Sequence, residues 1–241
     1  MKIKYWLLFF SVGMVCFAQA EDKFAPSDLK QTISRAITEF EQTDRTRWSY
    51  QVSRYENEEG DITRSVEQYH PSKNVSEKWS LISLNGNQPT QKQIQKFIDK
   101  KQKNATDKEN KSLSLLLKEI IQVETVKFES ENDDYLTASF NVDLSRLVNA
   151  SEKLIGSLTF NKEHQFIESI EITNLAAFSP MFSAKITDFK LSFSFLKIDD
   201  AILAHEQRLN MQGTFAFFTE ILEESKDVFS NYQYIKEPYS E

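Results

Sequence analysis

The run from residue 184 to residue 198 constrains the fold more than any other stretch. Phe189, Leu191, Phe193 and Phe195 alternate with Asp188, Lys190, Ser192 and Ser194. A period of two places the aromatic set on one side of a β-strand and the polar set on the other. Each large apolar side chain contributes roughly 1.5–3 kcal/mol when fully buried. The chain must therefore build a sheet with one apolar face and a layer to cover it. A partner strand is expected from Gln212 to Leu222, with Phe215, Phe217 and Ile221 on one face. Tyr232, Tyr234 and Ile235 are expected to close the sheet.

The stretch Trp79 to Phe97 supplies a second fixed point. Trp79, Leu81 and Ser83 alternate with Ser80, Ile82 and Leu84, which predicts a strand. Asn85-Gly86 ends it, since both residues tolerate the positive φ of a tight turn. Thr90 and Gln93 have the spacing of a capping box, and Ile94, Phe97 and Ile98 follow at helical spacing. Upstream, Trp48, Tyr50 and Val52 begin a strand that turns at Glu59-Gly60-Asp61 and returns through Ile62 to Tyr69. Such short connections imply an antiparallel meander. Ahead of it, Leu29, Ile33, Ala36, Ile37 and Phe40 form the apolar stripe of a helix. The lysine-rich run from Lys100 to Lys111 reads as a solvated connection, and Leu113 to Ile121 as a short buried helix. Hairpins are expected around residues 131–134 and 161–164. With no internal repeat and no Pro/Gly-rich linker, the pattern is α+β: one antiparallel sheet with helices against one side.

The first twenty residues have the three parts of an export signal. Lys2 and Lys4 are the positive region, Tyr5 to Phe17 the apolar region, and Ala18-Gln19-Ala20 the cleavage site. Residues 21–241 are then expected to form a single mature domain, exported to the periplasm. A tethered form would need lipid on Cys16, but Val15 before it is bulkier than a lipobox normally carries. No later stretch is long and apolar enough for a transmembrane helix. Cys16 is the single cysteine, so the mature chain is expected to lack disulfides and thiolate chemistry. Loss of Lys2 and Lys4 takes the formal charge from −7 to −9. An acidic chain without a basic cluster argues against a nucleic-acid partner.

Motifs for chemistry fail one by one. His205-Glu206 is followed by Leu209 where a zinc-protease helix needs a second histidine. His70, His164 and His205 have no metal-ligand spacing. Gly156-Ser157 lacks the pattern of a nucleophile elbow. Asp133-Asp134 and Asp199-Asp200 are sequence neighbours, which tend to point apart. The expectation is a protein without catalytic residues, bound metal or cofactor.

Taken together, the export signal, the amphipathic first helix and the meander opened by Trp48 resemble the outer-membrane lipoprotein carrier (LolA/LolB-like) fold. The segment from Trp79 through Gly86, Pro89-Thr90 and Phe97 is similar to one in periplasmic proteins of that architecture. The runs Ile155–Phe160, Ile167–Asn174 and Phe189–Phe195 fit its second set of strands. The resemblance implies a curved antiparallel sheet, an incomplete β-barrel, with helices packed on its concave side. It also implies an apolar cavity that takes acyl chains of a lipid or lipoprotein. Candidate lining residues on the meander are Trp48, Tyr50, Trp79 and Leu81; on the later strand they are Phe189, Leu191, Phe193 and Phe195. The carriers' functional arginine has no fixed counterpart, although Arg54 and Arg64 lie on the meander. The leading expectation is a periplasmic, non-enzymatic binding or carrier protein for a lipidic or apolar ligand. The alternative is an envelope structural or interaction protein without a small-molecule ligand, whose protein partner the sequence does not name.

Overall fold

The architecture comes from a computed structural model, which describes residues 26–72, 74–106, 116–143, 150–181, 183–216 and 219–236. The expected export signal lies outside the described residues, as do Leu113 and Leu115.

Helix α1 (Pro26–Gln42) opens the described chain, and its stripe is buried as its spacing predicts: Leu29, Ile33, Ala36, Ile37 and Phe40 are all inaccessible. The meander follows as β1 (Trp48–Glu58), β2 (Asp61–Tyr69), the single turn α2 (Val75–Lys78) and β3 (Trp79–Leu84). Asn85 and Gly86 both take positive φ (50° and 76°), ending β3. The capping box then forms reciprocally. The Thr90 N–H donates to Gln93 Oε1 at 2.8 Å, and the Gln93 N–H donates to Thr90 Oγ1 at 3.4 Å.

Helix α3 (Gln91–Thr106) takes in the first part of the run read as a solvated connection, and residues 107–111 of that run lie outside the described residues. Lysine and glutamine, which dominate residues 100–103, are good helix formers. The expected helix to Ile121 is only α4 (Leu117–Ile120) among the described residues. After a 3-10 turn at Val123–Thr125 come β4 (Lys127–Glu131), β5 (Tyr135–Asn141), β6 (Leu154–Asn161), β7 (Phe166–Asn174) and the short β8 (Phe178–Met181). The aromatic strand is β9 (Ala184–Ile198).

Its partner is β10 (Ala201–Phe215), reached through a tight turn at Asp199, where φ is 52°. The expected partner, Gln212–Leu222, instead spans the end of β10 and the start of β11 (Thr219–Tyr234), which pair with each other, and Phe217 lies outside the described residues. The polar outward residues of Ala201–Asn210 mask its strand character. Tyr232 and Tyr234 do close the sheet, and they do so against the chain's first strand: Tyr234 pairs with Trp48.

Among the described residues all ladders are antiparallel and give one sheet of eleven strands. The order is β3-β2-β1-β11-β10-β9-β7-β6-β5-β4, with β8 beside β9. The two ends of this path do not pair, so the sheet is open. β-Bulges interrupt several ladders, including those of β2 with β3 and β9 with β10, and bend the strands. Helix α1 reaches β10, β7 and β4 together, lying across the concave side. No helix among the described residues is long and apolar enough to cross a membrane.

Candidate functional site: the polar half of the concave face

Directly opposed residues share a face, so one row can be followed across nearly the whole sheet. It reads Ser65, Arg54, Asp227, Gln207, Phe193, Ile170, Leu158, Ala138 and Phe128. The row changes from polar to apolar between β10 and β9. On the apolar side the concave face is filled. Phe189, Phe193 and Phe195 join the continuous core beneath α1, with Leu191 packed against it. The Phe40 and Phe195 rings meet edge to face at 4.8 Å. On the polar side, Trp48, Val52 and Leu81 are buried but lie outside that core.

The eight candidate residues thus fall into two groups. Four belong to the packed half under α1. The other four, Trp48, Tyr50, Trp79 and Leu81, belong to the half under α3. There Tyr50 stacks on Tyr69 with ring centroids 4.9 Å apart and also touches Trp79, Phe229 and Tyr232. Burial, then the neighbouring Tyr69, pushes the Tyr50 phenol well above its usual range. Burial does the same for Tyr232, whose hydroxyl donates to the Ala204 carbonyl at 2.6 Å.

Beyond this aromatic group sits a buried ionic network. Glu67 on β2 is its centre, with a side chain only 6% exposed. Lys101 of α3 donates to Glu67 Oε2 at 2.7 Å. Arg54 Nε lies 3.4 Å from Glu67 Oε1, and the Ser65 hydroxyl donates to that same oxygen at 3.3 Å. Arg54 also pairs with Asp227 Oδ2 at 2.9 Å and lies 3.7 Å from Glu56. Asp227 Oδ1 is buried with no hydrogen-bond partner among the described residues. Burial raises the Asp227 carboxyl to about 6; Arg54 opposes the shift, and Glu67 and Glu56 add to it. Burial lowers the Lys101 ammonium, with Glu67 acting against it. Further along the same face, Glu58 stands directly opposite Glu223, whose carboxyl is raised by burial and then by Glu58 and Glu56.

This half of the face is therefore graded: aromatic at one end, charge-paired in the middle, acidic at the other. Such a surface presents both apolar and charged groups. Perturbed carboxyls of this kind cluster at functional sites. Sequence reasoning missed Glu67, Asp227 and Lys101. One signal was present: Lys101 continues the stripe Ile94, Phe97, Ile98 at helical spacing, so it faces the sheet while Lys100 and Lys103 face solvent.

A second, open cleft of about 810 Å³ lies where β6 turns into β7 and β9 into β10. His164 and His205, read as separate in the sequence, both line it, together with Phe195, Asp199 and Asp200. Among the described residues neither imidazole hydrogen-bonds to a carboxylate. No group of three or more His, Cys, Asp or Glu among them has metal-binding geometry.

No family model matches the chain. No curated protein matches it either. A search of solved structures returns the crystal structure of a DUF1329 family protein from Desulfovibrio piger. It is 10% identical, with 88% of this chain and 95% of that chain covered, at a TM-score of 0.35.

Proposed function

We propose that this is an exported, non-catalytic binding or carrier protein whose concave face holds an amphiphilic ligand, an acylated molecule or lipid. One observation carries the reading: α1 fills only the apolar half of the concave face. The other half keeps half-buried aromatic rings beside inward-facing charges. An open antiparallel sheet with a helix across its hollow supports the likeness to the incomplete β-barrel of the lipoprotein carriers. In this reading Tyr50, Tyr69 and Trp79 lie along the ligand's apolar part, and the Arg54–Glu67–Asp227 network meets its polar part.

Native mass spectrometry of the protein purified from exporting cells tests this, with extraction of what co-purifies. The expected result is one bound lipid or acyl chain per protein, lost in Trp79→Ala. A clean apo mass, with no uptake of added fatty acid or phospholipid, overturns it.

An envelope interaction protein is the second reading. It is favoured by Met181 and Phe215, exposed on either side of Ala184 at the start of β9, and by Leu175, exposed where β7 leads into β8. Crosslinking through Met181 or Phe215 positions to a defined envelope protein, together with a clean apo mass, selects it.

A further inference from the structure

Lys101 is seated as a ligand would be. Its side chain leaves α3 and brings Nζ to 3.9 Å from the Trp79 ring centroid, 5.1 Å from that of Phe97 and 2.7 Å from Glu67 Oε2. Aromatic faces and a buried carboxylate are the elements that recognise an ammonium group. Most of this pocket is independent of Lys101. Glu67 and Trp79 stand on adjacent strands, and Tyr69, two residues from Glu67, pairs directly with Trp79. Ser65 and Arg54 orient the Glu67 carboxylate from the sheet side. Helix α3 is held by its capping box and by Ile94, Phe97 and Ile98. The flexible Lys101 stem can therefore swing out while the helix stays in place. Charge favours a cationic incomer: Glu56, Glu58, Asp61, Glu67, Glu223 and Asp227 share this face of the sheet, with Arg54 on it and Lys101 over it.

We infer that the Trp79–Phe97–Glu67 pocket is a binding site for a primary alkylammonium group, and that Lys101 occupies it as a built-in competitor. The inference rests on the concave face being a ligand site, and it assigns the chemistry of that ligand's head group. A tethered competitor has a high effective concentration, so it weakens binding of an external amine to the unaltered protein.

Tryptophan fluorescence titration with hexylammonium tests this, with hexanol and hexanoate as matched probes. Lys101→Ala is expected to bind hexylammonium about tenfold tighter than wild type. Adding Glu67→Gln is expected to remove that gain, and the two matched probes to show none. Lys101→Met, which keeps the aliphatic stem, serves as a second folded variant. Chain length separates two sources of the amine. Tightening by up to about fourfold per methylene from butyl- to octylammonium identifies an amphiphile. Equal binding of spermidine identifies a soluble polyamine, and either result supports the site. If Lys101→Ala and Lys101→Met fold and bind all three probes alike, the inference is overturned. Should neither fold, the Trp48→Phe protein reports through Trp79, and an emission unmoved by saturating hexylammonium overturns it as well. Lipid found by native mass spectrometry beside a failed amine titration removes the ammonium site and leaves the carrier reading. A successful titration beside a clean apo mass does the reverse.

Discussion

The two halves of one concave face solve the same geometric problem in opposite ways. On the β9-to-β4 side the sheet meets α1 through interlocked apolar side chains. Phe140, Leu158, Ile170 and Ile172 are almost wholly inaccessible. Even backbone is used tightly there: a Cβ at Gly156 would collide with the Phe140 ring across the ladder. On the β3-to-β11 side the sheet meets α3 through rings, one ion pair and a crowded set of carboxylates. The first half is built for stability. The second contains groups that cost stability, namely a buried carboxylate oxygen without a partner and two directly opposed glutamates. Folds tolerate such costs where a site needs them.

The largest expected effect belongs to the packed half. Phe140→Ala removes the ring that covers Gly156 and should cost ~3–5 kcal/mol in urea unfolding. On the proposed reading, ligand uptake by the protein that remains folded should be unchanged. Loss of ligand from fully folded Phe140→Ala would break the division into a structural and a binding half.

Asp227→Asn probes the other half and has a defined pH signature. The carboxyl of the folded protein is raised to about 6 from 3.8. Between those values the folded state holds a proton that the unfolded state has lost, so stability falls as pH rises through this window. The penalty is absent below pH 4 and complete above pH 6. Relative to wild type, Asp227→Asn should therefore gain on the order of 2–3 kcal/mol between pH 4 and pH 7. Parallel wild-type and variant curves across that range, measured by denaturant unfolding, would show that Asp227 is not under strain.

The smallest effect is local. Thr90→Ala opens the capping box and should weaken α3 by about 1 kcal/mol. Hydrogen exchange should quicken over residues 91–94 and stay unchanged in α1. Equal quickening in both helices would mean that the two halves unfold as one unit.

Legibility in the sequence follows the same division. Where one face is apolar and the other polar, alternation is enough: β9, the hairpin of β6 and β7, and the stripe of α1 were all readable. The junction at Trp79–Phe97 was readable because a turn and a cap reinforce the alternation. Strand β10 was misplaced because charged and polar side chains occupy both of its faces over much of its length. The candidate site failed for a related reason. Glu67 looks like an ordinary surface residue of a polar strand, and its burial depends on a helix some thirty residues later. Asp227 meets Arg54 only through the pairing of the first strand with the last, a contact with no local trace in the sequence.

That pairing also sets an order of assembly. Strand β11 lies between β1 and β10, so among the described residues the meander joins the ladders of the rest of the sheet only when the final strand arrives. Contacts of such long sequence separation form slowly, because the loop must close before they contribute. A chain emerging N-terminus first can complete the α1-covered half as β4 to β10 appear. It must meanwhile keep β1 as an open edge, the kind of edge that recruits other strands. A chain stopped short of residue 219 would lack the strand that joins the two halves, and with it Glu223, Asp227 and Tyr232 of the polar half.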